Sequence, residues 1–412
     1  MTEPTPLVGI DVGSEAVRVV VGVPVPDGLR VLGSGQATHA GAPKGVVAEM
    51  EAVTDAIRTA AEEAEAMASV PVERAIVGLG GPSIVGWRVN AAVIVEGADG
   101  RVARSDRDAV LERCKLFRRP ADYTVLDVIP MGFAVDGQGG IREPIGLPAR
   151  ELQAEAYVLH THRTHWDSVT EAVYAAGIEV EAVYFEPLAA AAAVLTPDEL
   201  ELGCLLIDIG LGTTEWTVFQ EGAVVAAGCI PLGGRNFTND LAAILRTPSR
   251  SAEEIKRRVG METGRENPDA AVEAPPLGGE ANRVYPAGYV TEILEARAKE
   301  LLVAIHRPLV EFQLENVPRA GIVLTGAGAL LDGLADMAEG ILGHRARRGR
   351  PRNLQELADP VNSEAWAVAC GLIRLHAERG ATRRKEPENV SGRLLAWLRR
   401  TFGEIFEMGG GS

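Results

Sequence analysis

One pattern occurs twice in this chain, and it restricts the fold more than any other feature. Residues 7–36, LVGIDVGSEAVRVVVGVPVPDGLRVLGSGQ, read as strand, tight turn, strand, turn, strand. Residues 204–232, CLLIDIGLGTTEWTVFQEGAVVAAGCIPL, repeat that scheme, and in both copies an Asp-x-Gly turn follows the first strand. β-branched residues between turn signals give a meander, and its repetition predicts an internal duplication. After each turn the chain returns at once to strand. Rossmann and Walker phosphate loops instead lead into a helix, so both are excluded.

Each turn has a bland reading, a hairpin with Asp and Gly in it. As a facing pair they have a chemical one. Asp11, Gly13 and Ser14 in the first copy, and Asp208, Gly210, Gly212, Thr213 and Thr214 in the second, would present bare N–H groups and hydroxyls to a triphosphate. Asp11 and Asp208 would hold Mg²⁺ through its retained waters.

Around these copies the spacing predicts a helix at 49–68 followed by the strand AIVGLGG, and an inserted region from about 83 to 160 with short strands around one helix. It also predicts a helix at 166–176, a strand at 178–185 and the helix EPLAAAAAVL. Further helices are expected at 236–246 and 251–259, then a polar stretch at 262–289 and a long helix at 290–315. The strand AGIVLTGAGA, the helix LLDGLADMAEGIL, a helix in SEAWAVACGLIRLHAE and a charged linker from Ala381 complete the order. Gly326, Ala327 and Gly328 open a helix after an apolar strand, where a nucleotide can approach the backbone. Gly233 and Gly234 precede another helix. Glu253 and Lys256 share a helix face and either reach a ribose and base edge or form a solvated surface pair.

A chain of 412 residues exceeds the usual size of one core, which implies several domains. A net charge of −16 argues against general nucleic-acid binding. Cys114, Cys204, Cys229 and Cys370 have no metal-ligand spacing and fit a reducing compartment, and no run of 18 apolar residues predicts a membrane span. The segment VSGRLLAWLRRTFGEIFEM is amphipathic. Leu394, Leu395, Leu398, Phe402, Ile405 and Phe406 share a helical face with Trp397 beside it, flanked by Arg393, Arg399 and Arg400. Six cations against four acids give residues 381–412 a charge of +2, leaving −18 on the rest, as suits a helix lying on anionic lipid.

In this order the pieces resemble the actin-like ATPase superfamily, and DVIPMGFAVDGQGGIREPIGLPARELQAEAYVLHT is similar to a signature of the FtsA family of bacterial cell-division proteins. The resemblance runs from Val8-Gly9-Ile10-Asp11 through GIVLTGAGALLDGL to the amphipathic tail. It implies a two-lobed α/β fold with duplicated ribonuclease-H-like domains and an inserted subdomain. The boundaries are subdomain 1A at 1–82 and 163–200, inserted subdomain 1C at 83–162, 2A at 201–235 and 319–358, and 2B at 236–318. A return helix at 359–380, a linker at 381–390 and a membrane-targeting helix at 391–408 follow.

The resemblance also implies ATP and Mg²⁺ as cofactors. Glu186, in a Glu-Pro pair, becomes the candidate for placing Mg²⁺ or the attacking water; the plainer account is an acid at a helix N-terminus. Arg283 and Arg297 become the contacts for the acidic C-terminal tail of the tubulin-like FtsZ. Implied partners are FtsZ, further copies of the chain, later division proteins through 1C, and lipid at the cytoplasmic face of the inner membrane. Three departures from the family pattern are Leu211 for a turn glycine, where it would crowd the phosphates, Glu215 for an aspartate, and Ala327 for a glycine. The rivals are a sugar or acetate kinase, which needs a general base this sequence does not offer, and a type IV pilus assembly ATPase, against which residues 127–147 argue.

Overall fold

The computed structural model describes residues 5–26, 28–96, 99–116, 121–278 and 281–385, with side chains through Gly380. It divides into a main unit, Met1–Arg374, and a second unit from Leu375, of which the described residues are the end of a helix.

The first meander is β1 (Leu7–Val12), β2 (Ala16–Val25) and β3 (Gly28–Thr38), antiparallel in that order. Helix α1 (Met50–Ala68) crosses back and delivers β4 (Arg74–Leu79) parallel to β1. Its buried positions Val53, Ile57, Ala60, Ala61 and Ala64 recur at helical spacing, and the small ones let β3 pass close: Cβ atoms added at Gly33 or Gly35 would strike the helix backbone.

The chain then leaves for an inserted sheet made of β5 (Val85–Ile94), helix α2 (Arg104–Lys115), β6 (Tyr123–Val135), β7 (Gln138–Ile141) and β8 (Glu151–His162), with strand order β5-β8-β6-β7. Its core of Val89, Val110, Phe133, Leu152 and Val158 is its own. Three of its strands run 10 to 13 residues, longer than the short strands expected from sequence. The register slips between Val125 and Asp127 and between Pro130 and Gly132 break the alternation that would have marked β6 as one strand.

Helix α3 (Arg163–Ala175), β9 (Glu179–Phe185) and α4 (Glu186–Val194) return the chain to the first sheet, where β9 pairs parallel with β4. The second copy follows α5 (Pro197–Leu202): β10 (Cys204–Ile209), β11 (Thr214–Gln220) and β12 (Ala223–Ile230) form the meander. Every residue of β10 is buried, as befits a central strand covered on both faces; each large apolar side chain there contributes about 1.5–3 kcal/mol.

Next come α6 (Gly234–Leu245), α7 (Ser249–Val259), α8 (Glu262–Glu266), β13 (Ala271–Ala274), β14 (Arg283–Pro286) and α9 (Ala287–Glu311). The hairpin of β13 and β14 lies inside the stretch read from sequence as polar and irregular; four residues per strand are too few to show a period. Then β15 (Gly321–Thr325), α10 (Leu334–Leu342), β16 (Ala346–Arg348), β17 (Leu354–Glu356) and α11 (Ala367–Lys385) finish the chain. Helix α11 carries on five residues past the expected linker start at Ala381.

The sheet orders display the duplication directly. The first is β17-β3-β2-β1-β4-β9 and the second β12-β11-β10-β15-β16, so a three-strand antiparallel meander is followed by two parallel strands in both. Helix α4 touches strands of both sheets. The insert, although it departs from the first sheet, also grips the second. Arg88 donates Nε and Nη2 to the Val225 carbonyl at 3.3 and 3.1 Å, and the Tyr157 hydroxyl accepts from the Ala227 N–H at 3.1 Å.

Candidate functional site

The two duplicated turns meet in a cleft. Each has an aspartate one residue before the end of its first strand, and each closes with a backbone bond three residues on: Gly13 N–H to the Ala16 carbonyl at 3.1 Å, Gly210 N–H to the Thr213 carbonyl at 2.9 Å. They touch across the lobes. A Cβ on Gly212 would lie 2.8 Å from Ser14 Oγ and from the backbone of Lys44, so only glycine permits this approach.

The cleft has two connected parts that share seven lining residues, Arg18, Gly210, Leu211 and Ala327 among them. The inner part is lined by Asp11, Gly13, Ser14, Glu186, Asp208, Thr213, Glu215 and Gly326. The outer part, about 590 Å³, is lined by Gly234, Glu253, Lys256, Gly328 and Trp366 among others, room for a nucleoside. Most cofactor-binding residues singled out from sequence thus line one continuous space, whereas Gly212, Thr214 and Gly233 line neither part.

Four carboxylates crowd the inner part. Asp11, Asp208 and Glu215 are 6%, 9% and 4% exposed. Burial pushes Asp11 up to about 6, with Arg18 opposing. Burial and then the Glu215 and Asp11 charges push Asp208 up to about 8. Glu215 rises to about 7 through burial; the hydrogen bond it accepts from the Gly81 N–H opposes that rise, and the Asp11 charge adds to it. Glu186 is raised well above the carboxylate range by burial, then by Glu215, Asp11 and Asp208. Gly80 lies between Glu186 and Glu215: a Cβ there would overlap both carboxylates. His165 donates its Nε2–H to the Gly80 carbonyl at 2.8 Å, and burial lowers its pKa.

This donor set fits a hydrated divalent cation. Carboxylates held above their ordinary pKa by burial, and three of them further by their neighbours' charges, gain from a positive charge among them. Among the described residues, no group of three or more His, Cys, Asp or Glu forms a direct metal site.

Several expected contacts take another form. Thr214 is fully buried, and its hydroxyl donates to the Leu232 carbonyl at 2.9 Å, so it braces the sheet rather than facing the cleft. The Gly233 N–H is taken by Asn236 Oδ1 at 3.0 Å and the Gly234 N–H by the Gly210 carbonyl at 2.9 Å. What these glycines offer a ligand is the absence of a side chain.

The surface-pair reading of Glu253 and Lys256 is replaced by a network that is buried at Lys256 and Thr238 and reaches the surface at Arg257. Lys256 Nζ meets Glu253 Oε2 at 2.6 Å, Thr238 Oγ1 at 3.0 Å and the Gly234 carbonyl at 3.2 Å, while Arg257 Nε holds the other Glu253 oxygen at 2.7 Å. The Leu211 side chain lines both parts of the cleft.

Outside the cleft, Arg297 is already committed. It makes a two-pronged pair with Asp240 at 2.6 and 2.9 Å and meets Glu300 at 2.6 Å, in a groove lined also by Ile244, Tyr289 and Glu292. Arg283, on β14, is not among the residues lining that groove. Leu394, Leu395, Trp397, Leu398, Arg399, Arg400, Phe402, Ile405 and Phe406 lie outside the described residues. Among the described residues no helix is long and apolar enough to cross a membrane.

Sequence reasoning missed four contributors. Gly80 and Gly81 were read as strand; Arg18 was unnoticed, although alternation along β2 places it opposite Asp11. Trp366 was read only as part of a helix.

Two duplicated sheets closing on a cleft, each contributing an Asp-Gly turn, with an inserted sheet in the first lobe, define the two-lobed actin-like fold. Solved structures agree: the chain matches a PilM-PilN type IV pilus biogenesis complex at a TM-score of 0.65 and 18% identity, over 90% of this chain and 98% of that one. MreB 5 of Spiroplasma citri bound to AMPPNP matches at 0.56 and 15% identity, over 93% and 99%. Family comparison is more specific. Residues 205–371 match the family described as "Cell division protein FtsA", and residues 81–160 match "SHS2 domain inserted in FTSA". The Cell division protein FtsA of Pseudomonas aeruginosa is 34% identical over 369 residues, covering 89% of this chain and 88% of that protein. The chain belongs to the FtsA family of actin-like cell-division proteins.

Proposed function

We propose that this FtsA-family chain binds Mg·ATP in the cleft, assembles with copies of itself at the cytoplasmic face of the inner membrane, and anchors FtsZ filaments there. Later division proteins would be recruited through the inserted sheet, subdomain 1C in the boundaries given above. The observation that carries the nucleotide reading is the meeting of the two turns beside four mutually repelling carboxylates.

In this reading the turns cradle phosphate oxygens with Gly13, Ser14, Gly210, Gly212 and Thr213. Asp11 and Asp208 hold the waters of Mg²⁺, and Gly326, Ala327 and Gly328 let the nucleoside pass close to the backbone. When bound, the ion neutralises phosphate charge. Glu253 and Lys256, each fixed by the other, present a rigid edge to the ribose. Glu186 is the group to orient an attacking water, since its carboxyl is held at the cleft by the N-terminus of α4. FtsZ would dock through Arg283 and Arg297, with its acidic tail displacing Asp240, and the amphipathic segment around Trp397 would supply the lipid contact.

Titration of Mg·ATP and of metal-free ATP tests the cleft. Asp208→Ala is expected to weaken the first far more than the second; equal losses would remove Asp208 from the ion's shell. Glu186→Gln should leave ATP affinity intact while lowering any turnover, and a parallel fall in both would assign it to binding instead. Sedimentation with anionic vesicles, with and without FtsZ and ATP, tests the anchor. Removing residues 390–412 should abolish sedimentation yet leave the thermal transition in place.

A further inference from the structure

We infer that His165 is a positioning residue for the cleft: by holding one peptide unit, Gly80-Gly81, it keeps Glu215 of the second lobe bound to the first lobe and so slows the release of a nucleotide. The inference rests on reading the cleft as a nucleotide site. It is carried by three side chains that meet on a single peptide plane.

Gly80 and Gly81 follow β4 of the first sheet, and Glu215 lies on β11 of the second. The Gly80 carbonyl accepts from His165 Nε2–H at 2.8 Å, and the Gly81 N–H donates to Glu215 Oε1. Those two backbone groups belong to one planar trans unit and point in opposite directions, so whatever fixes the carbonyl also aims the N–H. Glu186 closes the third side, since a Cβ on Gly80 would overlap its carboxylate as well as that of Glu215.

The backbone itself does not fix this plane. Gly81 sits at φ +103, and glycine adopts either sign of φ at little cost, so the plane could turn over and present its carbonyl to Glu215. A carbonyl facing a carboxylate is repulsive, and the bond between the lobes would be gone. His165 opposes that turn. It stands in the first turn of α3 and is 5% exposed; its Nδ1 is buried without a partner, so among the described residues the Gly80 carbonyl is what its ring holds. A peptide bonded at both ends is also more polarised, which strengthens its bond to the carboxylate. His165, Gly80, Gly81, Glu186 and Glu215 all line the inner part, where the nucleotide reading puts the terminal phosphate.

A histidine that only filled space would be matched by any side chain of its size; one that holds a carbonyl must place a donor where Nε2 is. Glutamine carries an N–H to that point, whereas asparagine reaches only the Nδ1 position. The experiment takes the full chain as wild type, His165→Gln, His165→Asn and His165→Leu. It follows the release of fluorescent ADP and ATP analogues, with Mg²⁺, into excess unlabelled nucleotide, together with amide exchange at Gly81. His165→Asn and His165→Leu are expected to release both nucleotides about tenfold faster at an unchanged association rate, the value of one hydrogen bond to a charged group, and to lose protection at Gly81. His165→Gln should stay within about twofold of the wild type, because it restores the donor. Equal behaviour of the Gln and Asn variants, or wild-type release from His165→Leu, overturns the inference. Should His165→Asn and His165→Leu lack a thermal transition, the wild type decides: Gly81 must exchange slowly, and more slowly with nucleotide bound, and exchange at the rate of an open loop amide refutes the clasp. A wild type with a protected Gly81 that binds neither nucleotide refutes the nucleotide reading and leaves the bond between the lobes standing.

Discussion

The hairpin of β1 and β2 and the hairpin of β10 and β11 are built to one plan, yet they carry opposite charges at one matched position. Asp11 pairs in register with Arg18, whereas Asp208 pairs with Glu215. The first turn therefore has its own counterion and the second has a doubled negative charge. That single difference accompanies the larger upward push on Asp208, to about 8, against about 6 for Asp11. Duplication fixes where the two aspartates stand; the residue opposite decides what each can do. On this reading the second half is where a cation is needed most, and the first half is where an anion is met.

The largest way to break the comparison lies at the glycines that end the central parallel strands, Gly80 after β4 and Gly326 after β15. Gly326 has φ +80, and a Cβ there would collide with the Asp208 carboxylate and the Ile209 backbone. Gly326→Ala should cost about 3 kcal/mol or more of stability and abolish nucleotide binding, as read by denaturant melts and titration. Gly80→Ala meets side-chain carboxylates that can shift, and should cost about 1–2 kcal/mol. Equal costs would mean that the two strand ends are interchangeable.

A smaller effect sharpens the charge argument. Asp11, Glu215 and Asp208 have folded pKa values raised to about 6, 7 and 8, so the folded state binds more protons than the unfolded one above the ordinary carboxylate range. Stability of the metal-free protein should therefore fall as pH rises from about 5 to about 8. Thermal melts would show it, with Arg18 and the Glu186 carboxyl facing the same groups. Asp208→Asn should flatten the fall more than Asp11→Asn, because its shift is the larger. Added Mg²⁺ should flatten it as well, and a pH-independent melting temperature would remove the repulsion argument.

The smallest expected effect is at Leu211, which stands three residues after Asp208 where the first turn has Ser14 three residues after Asp11. Leu211→Gly should change stability by about 1 kcal/mol and raise ATP affinity a few-fold at most, if the isobutyl group crowds the phosphates. Unchanged affinity would mean that the turn already accommodates it.

Much of this was legible because its signals are local. The two meanders declared themselves by Val-rich strands and Asp-Gly turns, and α1, α4 and α9 by spacing or composition. What stayed hidden depended on partners distant in sequence. Three-residue β17 joins the first sheet only because β3 is there to receive it, and no periodicity can show in three residues. Glu215 could be seen as a departure from the family pattern, but not as a carboxylate held by the Gly81 N–H across the lobes. Thr214 looked like its neighbour Thr213 in sequence; Thr214 opens β11 and bonds within the sheet, while Thr213 stays in the turn and lines the cleft.

The grip of the insert on β12 has a mechanical consequence. Two bodies joined by crossing segments can hinge, but a third body fixed to both makes a triangle, and triangles do not fold. Val225 and Ala227 lie on the outermost strand of the second sheet, and their outward backbone groups are met by Arg88 and Tyr157. Lobe rotation must therefore either carry the insert along as a lever or release these bonds, baring a strand edge able to recruit a foreign strand. The inserted sheet is thus geared to the motion of the cleft, and the same bonds keep a sticky edge out of circulation.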